Sequence, residues 1–289
     1  MENVVYDLKN VYYAYLGKFP ALAGIDLAVV RGEKIAIIGA NGTGKSTLLA
    51  MFDGLIFPDT GAISFFGRVM DERAFDDATF SRHFRTKVGF VFQNPDVQLF
   101  CPTVKEDIVF APLQFGVEKH KILWRLDKLV EILKIGHLLV RAPHELSVGE
   151  KRKVTIASVM INEPEILILD EPTAGLDPET SRSIIDMVLN LAAEGKTVIT
   201  STHDLHVAAE ISDTVHVFGK DKRIIKTGGA GKILTDEKFL IENNLMHTHR
   251  HRHGDKIHTH AHLHEDHHNE KYHWPGAVNL REGTDGAKR

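Results

Sequence analysis

The chain has 289 residues, 43% hydrophobic and 26% charged, the composition of a soluble globular protein with room for one large domain or two small ones. A formal charge of −4 gives no basic footprint for non-specific nucleic-acid binding, and one cysteine, Cys101, rules out an internal disulfide and fits a reducing compartment. No uncharged apolar run approaches the roughly 18 residues of a spanning helix and the N-terminus lacks a secretory signal, so a cytoplasmic protein is expected.

In chain order, residues 4–8, 25–30 and 62–66 read as strands of a small antiparallel layer. Between them an apolar run, 34–38, leads into Gly39-Ala40-Asn41-Gly42-Thr43-Gly44-Lys45-Ser46 and then a helical stretch, 47–52. This is the strand–loop–helix setting of a phosphate-binding loop. Gly39, Gly42 and Gly44, with Asn41 and Thr47, place backbone N–H groups and short side chains around phosphate oxygens; Lys45 reaches the β- and γ-phosphates, and the Ser46 hydroxyl ligates Mg²⁺. A ligand-free glycine turn is the plain alternative, and the flanking strand and helix argue against it.

Cys101, in Leu99-Phe100-Cys101-Pro102, reads as a small buried side chain. Residues 103–116 and 121–134 carry helical apolar spacing, with Leu123, Leu126, Leu129, Val130 and Leu133 on one side. Short apolar runs at 166–169 and 197–200 then read as buried parallel strands. The first ends in Asp170 and Glu171, whose alternating directions let one carboxylate serve Mg²⁺ and the other polarise an attacking water. The fold expected is α/β: a P-loop NTPase core of mostly parallel sheet flanked by helices, an antiparallel β subdomain and an inserted α-helical subdomain at about 95–160.

From Met246 the text turns polar and biased, so residues 1–245 are read as the domain and 246–289 as a disordered tail. The tail holds 11 of the 18 histidines, eight of them alternating in two runs: His247, His249, His251 and His253, then His258, His260, His262 and His264. Extended, each run puts its imidazoles on one face, and neutral imidazole suits Ni²⁺, Co²⁺, Zn²⁺ and Cu²⁺. Three readings stay open: a purification tag, solvated disorder with adventitious metal affinity, and metal buffering or sensing.

The motifs occur in one order: the loop at 39–46, Gln93, Leu146-Ser147-Val148-Gly149-Glu150, Asp170-Glu171, Ala174-Gly175-Leu176-Asp177 and Ser201-Thr202-His203-Asp204. Over about residues 4–230 the chain resembles the nucleotide-binding subunit of an ATP-binding-cassette transporter. The resemblance implies a dimer, with itself or a related cassette, that sandwiches two ATP molecules and works with integral membrane components. It implies that Ser147, Gly149 and Asp177 meet the partner's nucleotide, that His203 contacts the γ-phosphate and positions water, that Gln93 approaches Mg²⁺ together with Ser46 and Asp170, and that Tyr15 stacks on adenine. Glu171, His203 and Gln93 are thereby the catalytic set.

One motif departs from the family's usual Leu-Ser-Gly-Gly-Gln: Val148 and Glu150 stand where glycine and glutamine are usual. Val148 lacks glycine's backbone range, so a weakened or shifted contact across the dimer is expected. The segment Gln93-Asn94-Pro95-Asp96-Val97-Gln98 is similar to the loop of energy-coupling-factor importers, which serve vitamins and transition metals, chiefly cobalt and nickel. The histidines favour the metals. The competing classes are a soluble non-transport cassette ATPase and a metal-storage protein.

Overall fold

The computed structural model describes the backbone over residues 3–253 and 256–262 and side chains over 3–246. The chain opens with a long hairpin, β1 (Val4–Tyr15) and β2 (Phe19–Val30), followed by β3 (Lys34–Gly39), whose last five residues are all buried. The phosphate loop leads into α1 (Lys45–Phe52). Then come β4 (Thr60–Phe65), β5 (Arg68–Val69), α2 (Glu72–Asp76), α3 (Ala78–Lys87) and β6 (Val88–Val91). Three further helices, α4 (Val104–Gln114), α5 (Lys119–Leu133) and α6 (Val148–Met160), make the inserted lobe. The core resumes with β7 (Ile166–Asp170), α7 (Pro178–Ala193), β8 (Thr197–Thr202), α8 (Leu205–Ile211), β9 (Thr214–Phe218) and β10 (Ile224–Gly229), and α9 (Ala230–Ile233) and α10 (Glu237–Glu242) close it.

Two sheets result. One is antiparallel, in the order β2-β1-β4-β5; the other runs β10-β9-β3-β8-β7-β6, parallel throughout except for β10. The phosphate loop and the carboxylates after β7 thus leave the same edge of the parallel sheet, from strands separated only by β8. Local sequence explains why: Ile166-Leu167-Ile168-Leu169 is buried on both faces, as a central parallel strand must be. Leu48, Leu49 and Phe52 of α1 are fully buried between the two sheets, each contributing roughly 1.5–3 kcal/mol of apolar burial. A second core, built on Val91, Leu167, Leu169 and Val198, joins the opposite face to the helical lobe.

Three expectations need correction. The first hairpin is longer than the strands read at 4–8 and 25–30, because a register shift between Leu8 and Val11, with Asn10 at φ 50°, lets the ladder absorb the polar Lys9 and Asn10. On α5 Leu126 and Leu133 are buried and Leu129 and Val130 pack against the second core as expected, but Ile122 takes the buried place and Leu123 is exposed. The opening of the tail forms a two-stranded antiparallel ladder, β11 (His247–His253) with β12 (Lys256–His262), although the whole of it was expected to be disordered. Its strict alternation is the period of a strand. His264 and the rest of the tail lie outside the described residues. Among the described residues no helix is long and apolar enough to cross a membrane.

Candidate active site

The phosphate loop is shaped by contacts that only glycine permits. Gly44 sits at φ 114°, and a Cβ there would lie 2.2 Å from the Ala21 carbonyl oxygen, so β2 closes directly over the loop. Lys45 is buried, and its Nζ donates to the carbonyls of Gly39 at 2.8 Å and Ala40 at 3.4 Å while lying 4.0 Å from Glu171 Oε1. Burial lowers the Lys45 pKa, and the neighbouring Glu171 and Asp170 carboxylates oppose that shift.

A cavity of about 550 Å³ opens over this loop. Asn41, Gly42, Gly44, Lys45, Ser46 and Thr47 form its floor, and Gln93 and Glu171 one wall. Tyr15 forms the other, its hydroxyl 3.2 Å from Thr47 Oγ1. Of the three neighbouring tyrosines it alone lines the cavity, which separates it from Tyr12 and Tyr13 as the ring an adenine would meet.

Glu171 follows β7 in a left-handed conformation at φ 47°, costly for a non-glycine residue, and its N–H donates to the Ser201 carbonyl at the end of β8. This turn aims the carboxylate into the cavity. His203 Nδ1 lies 2.9 Å from Glu171 Oε2, and the His203 backbone N–H donates to the same oxygen at 3.3 Å. Glu171 is therefore oriented from both sides, by Lys45 and by His203. Asp170 sits behind it, buried, and accepts a hydrogen bond from the Ser201 hydroxyl. Together Ser46, Gln93 and Asp170 offer only hard oxygen donors, the set Mg²⁺ takes alongside phosphate oxygens and water. The chemistry available is positioning and activation of a water against a bound phosphoryl group, with Glu171 as the proton acceptor.

Gly39 lies behind the loop as the partner of Lys45 rather than on the cavity wall. Ser147, Gly149 and Asp177 do not line the cavity at all. They converge at a second place: Ser147 caps α6, and a Cβ on Gly149 would lie 3.5 Å from Thr180 and 3.9 Å from Asp177 Oδ2. Asp177 itself caps α7, accepting from the Thr180 N–H at 2.9 Å.

The departure in this motif carries no backbone cost. Val148 is the first residue of α6, where ordinary helical angles suffice, and its side chain is 57% exposed. Glu150 completes a capping box: the Ser147 N–H donates to its carboxylate at 2.8 Å, while Ser147 Oγ accepts from the Glu150 N–H at 3.3 Å. Glutamine or glutamate serves this box equally. The Ser147 backbone N–H and side chain, both bonded to the carboxylate, hold the Glu150 pKa below its ordinary value.

Sequence reasoning missed several residues. Phe19, Pro20, Ala21 and Lys222 also line the cavity, brought there by the hairpin and by the β9–β10 connection, with no motif to announce them. Arg152, buried on α6, donates to the carbonyls of Phe92 at 2.6 Å and Gln93 at 2.5 Å, and Lys151 pairs with Asp96 at 2.6 Å. These bonds tie the Gln93 segment to the helix that Ser147 caps. Cys101 is half-buried rather than buried; burial and Asp107 push its thiol up to about 11, which removes it as a nucleophile.

Comparison with known proteins agrees with this geometry. The description of the ABC transporter family matches residues 22–174. The nickel import ATP-binding protein NikO of Rhodobacter capsulatus is 43% identical over 244 residues, 83% of this chain and 95% of that protein. The energy-coupling factor transporter ATP-binding protein EcfA of Methanosphaera stadtmanae is 39% identical over 245 residues, 84% of this chain and 86% of that one. Among solved structures, CbiO1 of Clostridium perfringens, part of the ABC transporter complex CbiONQ, superposes with a TM-score of 0.71 at 35% identity, covering 84% of this chain and 96% of that one.

Proposed function

The chain belongs to the ABC transporter family as an ATP-hydrolysing importer subunit of the energy-coupling-factor type, and from that premise we propose that it drives uptake of a transition-metal cation, nickel or cobalt. It works at the cytoplasmic face of the membrane, bound peripherally to integral membrane components. The observation that carries the ATPase half is the Lys45–Glu171–His203 constellation around the phosphate-loop cavity. Two features support the metal: the nickel-import relative, and a tail in which histidines pair across a ladder, His247 with His262, His249 with His260 and His251 with His258.

In this reading two cassettes, identical or related, close on each other. Ser147 and Gly149 at the start of α6 then meet the γ-phosphate held by the opposite chain, where a helix N-terminus favours an anion. Within each chain Lys45 leaves the Gly39 and Ala40 carbonyls for the phosphates, Glu171 accepts the proton of the attacking water, and His203 holds Glu171 in place and contacts the γ-phosphate. Bound Mg²⁺ would be held by Ser46, Asp170 and Gln93 and would neutralise phosphate charge. Asp177, beside Gly149, is the contact through which one site senses the other.

Uptake of radiolabelled Ni²⁺ and Co²⁺ in cells with and without the subunit tests the substrate; loss of one or both is expected, and unchanged accumulation of both ions would transfer the reading to vitamin uptake. For the tail, ending the chain after Leu245 is expected to keep ATPase activity and to remove most Ni²⁺ or Co²⁺ binding. Equal metal stoichiometry in the full and shortened proteins would show that the histidines take no part.

A further inference from the structure

Lys222 belongs to none of the motifs, yet the fold delivers it to the nucleotide pocket. It lies in the connection between β9 and β10, and its Nζ donates to the Gly42 carbonyl in the middle of the phosphate loop. Its neighbours Lys220, Asp221 and Arg223 are exposed, whereas Lys222 is half-buried and lines the same cavity as Lys45 and Ser46. Its backbone is held at φ 66°, a left-handed conformation that costs a β-carbon-bearing residue energy and that glycine would adopt freely. The connection is also anchored: the Lys222 carbonyl accepts from the Ala23 N–H at 3.0 Å, on the same strand whose Ala21 carbonyl closes over Gly44.

A phosphate loop turns its N–H groups inward and its carbonyls outward, so the carbonyls need partners behind the nest. Here two ammonium groups provide them. Lys45 holds the Gly39 and Ala40 carbonyls from within, and Lys222 holds the Gly42 carbonyl from the cavity rim. When phosphates arrive Lys45 turns to them, whereas Lys222 can stay where it is. A cation on the Gly42 carbonyl also polarises that peptide, making the Thr43 N–H on its far end a stronger donor.

We propose that Lys222 is a positioning residue of the nucleotide site: it fixes the Gly42 peptide and adds positive charge at the pocket rim, and so sets the affinity for a nucleoside triphosphate without taking part in hydrolysis. The proposal rests on the reading of this cavity as the ATP site, which Mg-ATP binding by the wild-type protein checks separately.

The test compares Lys222→Met, Lys222→Arg and Lys222→Gly in the full chain, by titration with Mg-ATP at two salt concentrations and by ATPase kinetics. The methionine variant is expected to raise Kd and KM about 3- to 10-fold, the span of one solvent-facing charge-assisted bond, with kcat within about twofold of wild type. High salt should shrink the difference, and arginine should restore affinity. Glycine relieves the left-handed backbone but removes the ammonium, so it should raise the melting temperature while still weakening ATP binding. Full affinity in the glycine or methionine variant, or a fall in kcat with Kd unchanged, overturns the proposal. Wild-type protein that does not bind Mg-ATP would instead remove the ATP reading itself.

Discussion

The two ends of the proposed active site are built differently. At the phosphate-loop end the functional side chains Lys45, Asp170 and Glu171 are buried and partnered within the chain, by the loop carbonyls, the Ser201 hydroxyl and His203. At the start of α6, Ser147 and Val148 face outward, and what holds them is a capping box of four consecutive residues. The first end is assembled from strands far apart in sequence; the second is local. One chain therefore presents a partnered pocket and, separately, an exposed helix start, the two parts that the proposed pairing of cassettes would bring together.

The largest effect is expected where the buried end does its chemistry. Glu171→Gln keeps the shape and removes the proton acceptor, so kcat for Mg-ATP should fall about 10²- to 10⁴-fold while ATP binding persists. Single-turnover hydrolysis alongside nucleotide titration measures both. Hydrolysis near the wild-type rate would transfer the base role elsewhere and break the comparison at its stronger side.

Acid sharpens the contrast. His216, buried on β9 next to β3, bonds Thr227 Oγ1 at 2.9 Å and has its pKa pushed by burial down to about 4, from an ordinary value near 6.5. A lowered pKa means the fold holds the neutral ring, so its stabilisation is complete above pH 6.5 and is lost as pH falls toward 4, by about 3 kcal/mol over that window. The buried Asp53 acts in the opposite sense: its carboxyl is raised to about 6, so protonation there favours the fold as pH drops. The comparison must therefore be with a variant. His216→Asn should flatten the loss between pH 6.5 and 4 in denaturant midpoints relative to wild type, and parallel curves would exclude His216 as the cause. Glu150 at the other end titrates lower: its depressed pKa means the capping box is intact above about 4.5 and weakens only below that.

The smallest effect belongs to the exposed end. Ser147→Ala removes the cap of α6, costing about 1 kcal/mol of stability, and removes the donor proposed to face the opposite nucleotide. Steady-state hydrolysis should drop about tenfold while ATP binding to the isolated chain stays unchanged. Weakened binding in the isolated chain would mean that Ser147 serves its own pocket, and the two ends would no longer be separate.

Much of this was legible from residue order. The spacing from Gly39 to Ser46 fixes a loop because glycines at set intervals dictate local backbone, and Asp170-Glu171 follows an apolar run that can only be a buried strand. The capping box at Ser147 and Glu150 is likewise a three-residue relation, and it shows that Val148 sits at an ordinary helical position within the chain. Residues such as Arg152, Phe19 and Lys222 left no comparable trace, since an arginine on a helix or a lysine in a turn is the same text whatever it touches.

The sequence by itself determined the phosphate loop, the acidic strand end, the order of the motifs and the break at Met246, because each depends on backbone preferences or side-chain periodicity over a few residues. Tertiary structure alone decided that β2 closes over Gly44, that His203 lies on Glu171, that Arg152 grips the Gln93 segment and that Lys222 reaches Gly42. Those contacts join positions 23 to 180 residues apart, and no local rule of hydrogen bonding or hydrophobic spacing specifies which distant segments a folded sheet will bring together.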